Sequence, residues 1–154
     1  PYKLIVLDMI DERLAKAKEF GADEVWNPGK EDVVQKIMDM TDGYGCDIYI
    51  EATGAPASVR QGMQMIRKLG RFVEFSVFGA ETSLDWSIIG DKKELDVLGA
   101  HISPYCYPYT IEHMASGAVR TDGVVTGTFP LEQWEEAFSR AAAGKDQIKV
   151  AFTF

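Results

Sequence analysis

The stretch Lys3-Leu4-Ile5-Val6-Leu7-Asp8-Met9-Ile10-Asp11-Glu12-Arg13-Leu14-Ala15-Lys16-Ala17-Lys18-Glu19-Phe20 decides how the chain is organised. Leu4 to Leu7 are apolar without alternation, the pattern of a strand buried on both faces of a parallel sheet. The run stops at Asp8, and residues 10–21 read as a helix: Ile10, Leu14, Ala17 and Gly21 share one face, while Asp11, Glu12, Lys16 and Lys18 face water. Glu12 and Lys16 form an i,i+4 pair in the favourable order, worth roughly 0.3 kcal/mol. A carboxylate at the carboxyl end of a buried parallel strand sits where open α/β sheets bind ligands, and in dinucleotide folds it accepts hydrogen bonds from ribose hydroxyls. The competing role for Asp8 is to cap the helix that follows.

A chain of 154 residues with 46% hydrophobic composition is large enough to bury a core without disulfide or metal staples. The net charge of −8 and pI of about 4.7 oppose nucleic acid or anionic lipid as a partner, since phosphate backbones are met by basic patches. Cys46 and Cys106 have no partner at a recognisable metal or redox spacing, and His101 and His113 do not complete a zinc-site pattern with them. Cys46 reads as a small buried residue just before a strand. No apolar run reaches transmembrane length and the start lacks a signal-peptide pattern, so no membrane role and a reducing, cytoplasmic setting are expected.

Gly21 is the expected stop of the first helix. Glu24-Val25-Trp26 reads as a strand closed by the turn Asn27-Pro28-Gly29. Asp32 can cap a second helix with Val33, Val34, Ile37, Met38 and Met40 on its apolar side, ended by Thr41 to Gly45. Asp47 to Glu51 is the next strand. A third helix is expected from Pro56 to Leu69, with Val59, Met63 and Ile66 inward and Gly70 as its stop, followed by a strand from Arg71 to Val77. This alternation argues for a parallel sheet wrapped by helices, an α/β fold. Further on, a short helix is expected within Leu84 to Lys92 and a strand from Leu95 to Ile102. Ser103 to Pro108 is irregular on account of its prolines. A helix from Tyr109 to Ser116 and a strand from Val124 to Phe129 follow. The last helix carries Leu131, Trp134, Phe138 and Ala141 inward and ends at Gly144, and Ile148 to Phe154 closes the chain as a strand.

Asp8 and Arg13, then Ala15 to Asp23, then Gly43, Gly45 and Asp47, then Glu51-Ala52-Thr53-Gly54 and Gly70-Arg71-Phe72-Val73, and finally Phe129-Pro130-Leu131 with the Ala-rich helix to Gly144-Lys145, together resemble the medium-chain dehydrogenases. The likeness is to the zinc-type alcohol, sorbitol and threonine dehydrogenases, and His101 to Cys106 is similar to the sugar-alcohol (erythritol or threitol) members. It covers the whole chain and rests on the order of the signals rather than on any one motif. The resemblance implies a Rossmann-like doubly wound parallel sheet lacking its first strand and Gly-x-Gly-x-x-Gly turn, because Gly43 and Gly45 precede a strand and have no third glycine at the right spacing. It implies a C-terminal portion of a longer enzyme. Residues 1–123 would be a partial NAD-binding domain, and residues 124–154 would return to a catalytic domain outside this chain. A doubly wound sheet without its central first strand should carry a gap between its two halves.

The same resemblance implies the site. Asp8 would bind the adenosine ribose and select NAD over NADP, with Arg13 near the same ribose; a solvated helix charge is the plainer account of Arg13. Ala52, Thr53 and Gly54 would border the adenosine half, Gly54 serving equally as a turn glycine. Phe75, Ser76 and Val77 would line the nicotinamide, Phe75 being equally well explained as core, and Ile102 and Ser103 would approach the same ring. The implied reaction is hydride transfer between a secondary alcohol or polyol and NAD, with zinc held outside this chain. No catalytic or metal role falls on any residue here, and the piece alone is expected to be inactive. A homodimer or homotetramer through Leu95–Ile102 is implied. The rivals are a zinc-independent quinone or enoyl reductase of the same superfamily, a non-catalytic nucleotide-binding module, and a methyltransferase-like domain, which the tail does not suit.

Overall fold

The computed structural model describes residues 2–102, 104–144 and 147–154, and along them strands and helices alternate. The elements in order are β1 (Ile5–Leu7), α1 (Asp11–Glu19), β2 (Glu24–Trp26), α2 (Val33–Met40), β3 (Cys46–Glu51), α3 (Pro56–Met65), β4 (Ile66–Glu74), β5 (Asp96–Gly99), α4 (Tyr107–Ala115), β6 (Val125–Pro130), α5 (Trp134–Ala143) and β7 (Lys149–Thr153). Short 3₁₀ turns occupy Trp86–Ile88 and Leu131–Gln133. Every ladder is parallel: β1 with β2, β3–β4–β5 in that order, and β6 with β7. Parallel neighbours, joined through α-helices in three of the four ladders and through a loop with a 3₁₀ turn between β4 and β5, make this a Rossmann-like α/β fold. Among the described residues these ladders form three separate sheets. The chain divides into two compact units, Asp32–Tyr105 and the combination of Pro1–Glu31 with Cys106–Phe154.

In the Asp32–Tyr105 unit, α2 starts where the sequence predicts, with the Asp32 side chain accepting from the Gln35 backbone N–H at 2.9 Å. Val59, Met63, Ile66 and Phe72 form the core, and Tyr49 stacks on Phe72 with ring centroids 5.6 Å apart. α3 approaches β3 closely enough that a Cβ at Gly62 would fall 2.4 Å from the Tyr49 ring, so glycine is required there. The predicted helix to Leu69 is too long: α3 ends at Met65, Ile66 is extended and fully buried in β4, and Gly70 lies in the strand rather than ending the helix. The cause lies elsewhere in the chain. Lys93 Nζ donates to the carbonyls of Met63 (2.6 Å), Gln64 (3.0 Å) and Ile66 (2.6 Å), closing the helix end from outside. β4 correspondingly ends at Glu74, and the register shifts between its pairing with Cys46 and with Ile48. Cys46 opens β3 instead of preceding it, half-buried, with its thiol pushed up to about 11 by burial. β5 is shorter than predicted, leaving Ile102 outside the strand.

In the other unit, Leu14, Trp26 and Ala137 are buried. β1 is half-buried rather than buried on both faces, and Leu4 is exposed, because β1 has one strand neighbour, β2, among the described residues. Lys16 pairs with Glu19 at 2.6 Å instead of with Glu12. The predicted turn after β2 is held by Asn27, whose Nδ2 donates to Met9 O (3.1 Å) and Asp11 Oδ1 (2.8 Å) while its Oδ1 accepts from Gly29 N (2.9 Å). α4 begins at Tyr107, two residues before the prediction, because proline in a first helical turn forfeits no hydrogen bond. α5 stops at Gly144 with φ +64° as predicted, but Ala137 is its buried residue, and Leu131, Trp134, Phe138 and Ala141 are exposed. No helix among the described residues is long and apolar enough to cross a membrane.

Candidate functional site

The predicted site residues fall in both units, and each group has its own local geometry. Asp8 follows β1 directly, and its backbone N–H extends the ladder to Trp26 O at 3.3 Å. It is not the cap of α1: Ile10 holds that position with no side-chain cap bond. Asp8 Oδ1 instead accepts from Ile10 N at 2.9 Å, a local turn that fixes the carboxylate at the strand end. Its Oδ2 lies 3.9 Å from Arg13 Nη1, and both side chains are partly exposed. Arg13 is therefore more than a solvated charge, since its Nη2 also donates to Gly144 O at 3.2 Å beyond the end of α5. A carboxylate has about four lone-pair sites. With one N–H bond and one long ion pair, Asp8 keeps acceptor capacity for a diol.

The second group surrounds Glu51, which the sequence marks as a strand end and as part of the Glu51-Ala52-Thr53-Gly54 motif but gives no site role. Glu51, last in β3, is 0% exposed. Its Oε1 accepts from Thr53 N at 3.0 Å and Thr53 Oγ1 at 2.6 Å, and its Oε2 from Gly54 N at 3.1 Å and Ser76 Oγ. Burial alone pushes the Glu51 carboxyl up, but these donors outweigh it and hold the group well below the ordinary range, at about 2. Thr53 Oγ1 in turn accepts from Ala55 N at 3.0 Å. Glu51 thus brings Thr53, Gly54 and Ser76 together, a role that its place at the start of Glu51-Ala52-Thr53-Gly54 signals in the sequence.

The remaining predicted residues behave differently. Phe75 and Val77 are exposed, so the core reading of Phe75 does not hold, although the Phe75 N–H continues the β3–β4 ladder to Glu51 O at 3.0 Å. Ala52 is exposed in the same turn as Thr53. Gly54 is not an ordinary turn glycine: it has φ +70°, and an added Cβ would sit 2.5 Å from Val77 O. Ile102 is exposed with φ +39° beyond β5, and Ser103 lies outside the described residues. A recess of about 370 Å³ in the same unit, lined by Val59, Met63, Phe72, Leu84, Trp86 and Val97 among others, contains none of the predicted site residues. Among the described residues no group of three or more His, Cys, Asp or Glu side chains could hold a metal ion, so a donor set for zinc is not found in them.

Comparison with known proteins adds three findings. A family model described as zinc-binding dehydrogenase matches residues 2–116. The erythritol/L-threitol dehydrogenase of Mycolicibacterium smegmatis is 46% identical over 151 residues, which are 98% of this chain and 42% of that protein. Two solved structures each cover 99% of this chain and 44% of their own. They are 2R,3R-butanediol dehydrogenase from Bacillus subtilis (29% identity, TM-score 0.86) and a short chain alcohol dehydrogenase from Escherichia coli complexed with NADH (25% identity, TM-score 0.88). The chain thus spans less than half the length of these proteins.

Proposed function

Because this chain belongs to the zinc-binding dehydrogenase family, we propose that it supplies part of the NAD-binding domain of an enzyme that transfers hydride between a secondary alcohol or polyol and NAD. The observation that carries the reading is Asp8, a partly exposed carboxylate with spare acceptor capacity directly after a parallel strand. Asp8 would accept both ribose hydroxyls of the adenosine half and repel a 2′-phosphate, and Arg13 would hold the carboxylate in place. Thr53 and Gly54 with Ala52 would border the adenosine half; Phe75, Ser76, Val77, Ile102 and Ser103 would border the nicotinamide. NAD, when bound, supplies the hydride acceptor, and the residues here bind and orient it. The relationship to an erythritol/L-threitol dehydrogenase supports a polyol substrate and favours the zinc-type reading over a quinone or enoyl reductase. Zinc would be held by residues outside this chain.

The exposed β5, paired only with β4 among the described residues, supports assembly into a homodimer or homotetramer through that edge. Residues 124–154 would return to a catalytic domain, and the cytoplasm is the compartment that suits the cofactor. The test is made on the gene product that carries these residues. NADH should form when erythritol, threitol or another vicinal polyol is supplied with NAD. No NADH formation with any polyol, together with no NADH binding by calorimetry, would refute the reading.

A further inference from the structure

The turn after β3 and the turn after β4 are separated in sequence, yet one side chain bonds to both. Glu51 takes Thr53 and Gly54 from the first turn and Ser76 from the second. A second, independent observation brings the same turns together: the backbone of Gly54 comes so close to the Val77 carbonyl that no side chain fits between them. We infer that Glu51 is a positioning residue, whose buried carboxyl group locks Thr53 and Gly54 to Ser76 so that both turns hold a fixed relative geometry before any cofactor arrives. The lock rests on geometry alone; its consequence for binding rests on the proposed cofactor role of these turns.

The arrangement demands a carboxylate. Each oxygen receives one backbone N–H and one hydroxyl: Thr53 N and Thr53 Oγ1 on Oε1, Gly54 N and Ser76 Oγ on Oε2. A glutamine amide, whichever way it is turned, sets its NH₂ against a backbone N–H that cannot become an acceptor. Pre-set geometry improves affinity by removing the ordering cost of binding, so loosening the lock should weaken the cofactor.

The test is a double-mutant cycle on NADH affinity in the gene product that carries these residues. Glu51→Gln should raise Kd about tenfold, Ser76→Ala about fivefold, and the double variant no more than about tenfold, because the bond that Ser76→Ala removes is the one its hydroxyl makes to Glu51. Multiplying effects, or a Glu51→Gln Kd within about twofold of the parent, would overturn the inference. Should Glu51→Gln fail to fold, Thr53→Val, which loses the hydroxyl bond to Oε1, should speed exchange of the Thr53 N–H at least about fivefold without any cofactor present; an unchanged rate would overturn the inference. If the parent binds no NADH, the proposed function fails but the lock is still read by amide exchange. The Gly54 N–H should exchange at least about tenfold faster in Ser76→Ala, and an unchanged rate would overturn the lock.

Discussion

Two carboxylates stand at the carboxyl ends of parallel strands, and they are used in opposite ways. Glu51 at the end of β3 is fully buried and receives four donors, leaving no acceptor site for a ligand. Asp8 after β1 is partly exposed, receives one N–H at 2.9 Å, and faces Arg13 at 3.9 Å. Topology makes both positions eligible for ligand binding. Hydrogen-bond satisfaction separates them: the filled carboxylate holds two turns of its own unit together, and the unfilled one keeps acceptor capacity.

The contrast predicts a graded series of effects on stability. Glu51→Ala leaves the part-buried Thr53 and Gly54 N–H groups and the Ser76 hydroxyl without their shared acceptor, and should cost roughly 2–4 kcal/mol in urea unfolding. Acid should remove part of the same term. The Glu51 carboxyl sits at about 2, below its ordinary value of 4.5. Its contribution, on the order of 3 kcal/mol, is therefore fully present above about pH 4.5 and lost as pH falls through about 2. Urea midpoints measured from pH 6 down to pH 2.5 should fall for the parent and fall less for Glu51→Ala. Lys93→Met removes the donor that closes α3, and should cost roughly 1–3 kcal/mol by thermal melting, with faster amide exchange confined at first to the Met63–Ile66 turn. Asp8→Asn should change stability by less than about 0.5 kcal/mol, since the amide oxygen can keep the turn bond from Ile10 N and only one long, partly exposed ion pair is lost. An Asp8 variant as destabilised as Glu51→Ala would erase the distinction.

Local chemistry made much of the fold legible from residue order. The alternation of strands and helices, the Asp32 cap and the Gly144 stop are written in neighbouring residues, and the structure reproduces them. The α3–β4 boundary was not legible, because Lys93, far along the chain, selects Met65 as the helix end. Trp134 and Phe138 show the same limit: helical spacing identifies an apolar stripe, but burial depends on what packs there, and in α5 that position falls to Ala137. Asp8 was legible as a strand-end carboxylate because strand and carboxylate are adjacent in the sequence. The bond from Ser76 to Glu51 was not, because it joins the ends of two strands that sequence spacing alone does not bring into contact.

The central claim, that Asp8 is the carboxylate left available to read the ribose, is tested most directly by cofactor discrimination. In the gene product that carries these residues, kcat/KM for NAD relative to NADP should fall at least about tenfold in Asp8→Ser, the equivalent of about 1.4 kcal/mol, with the fold intact by circular dichroism. An unchanged ratio in a folded, active variant would contradict the account.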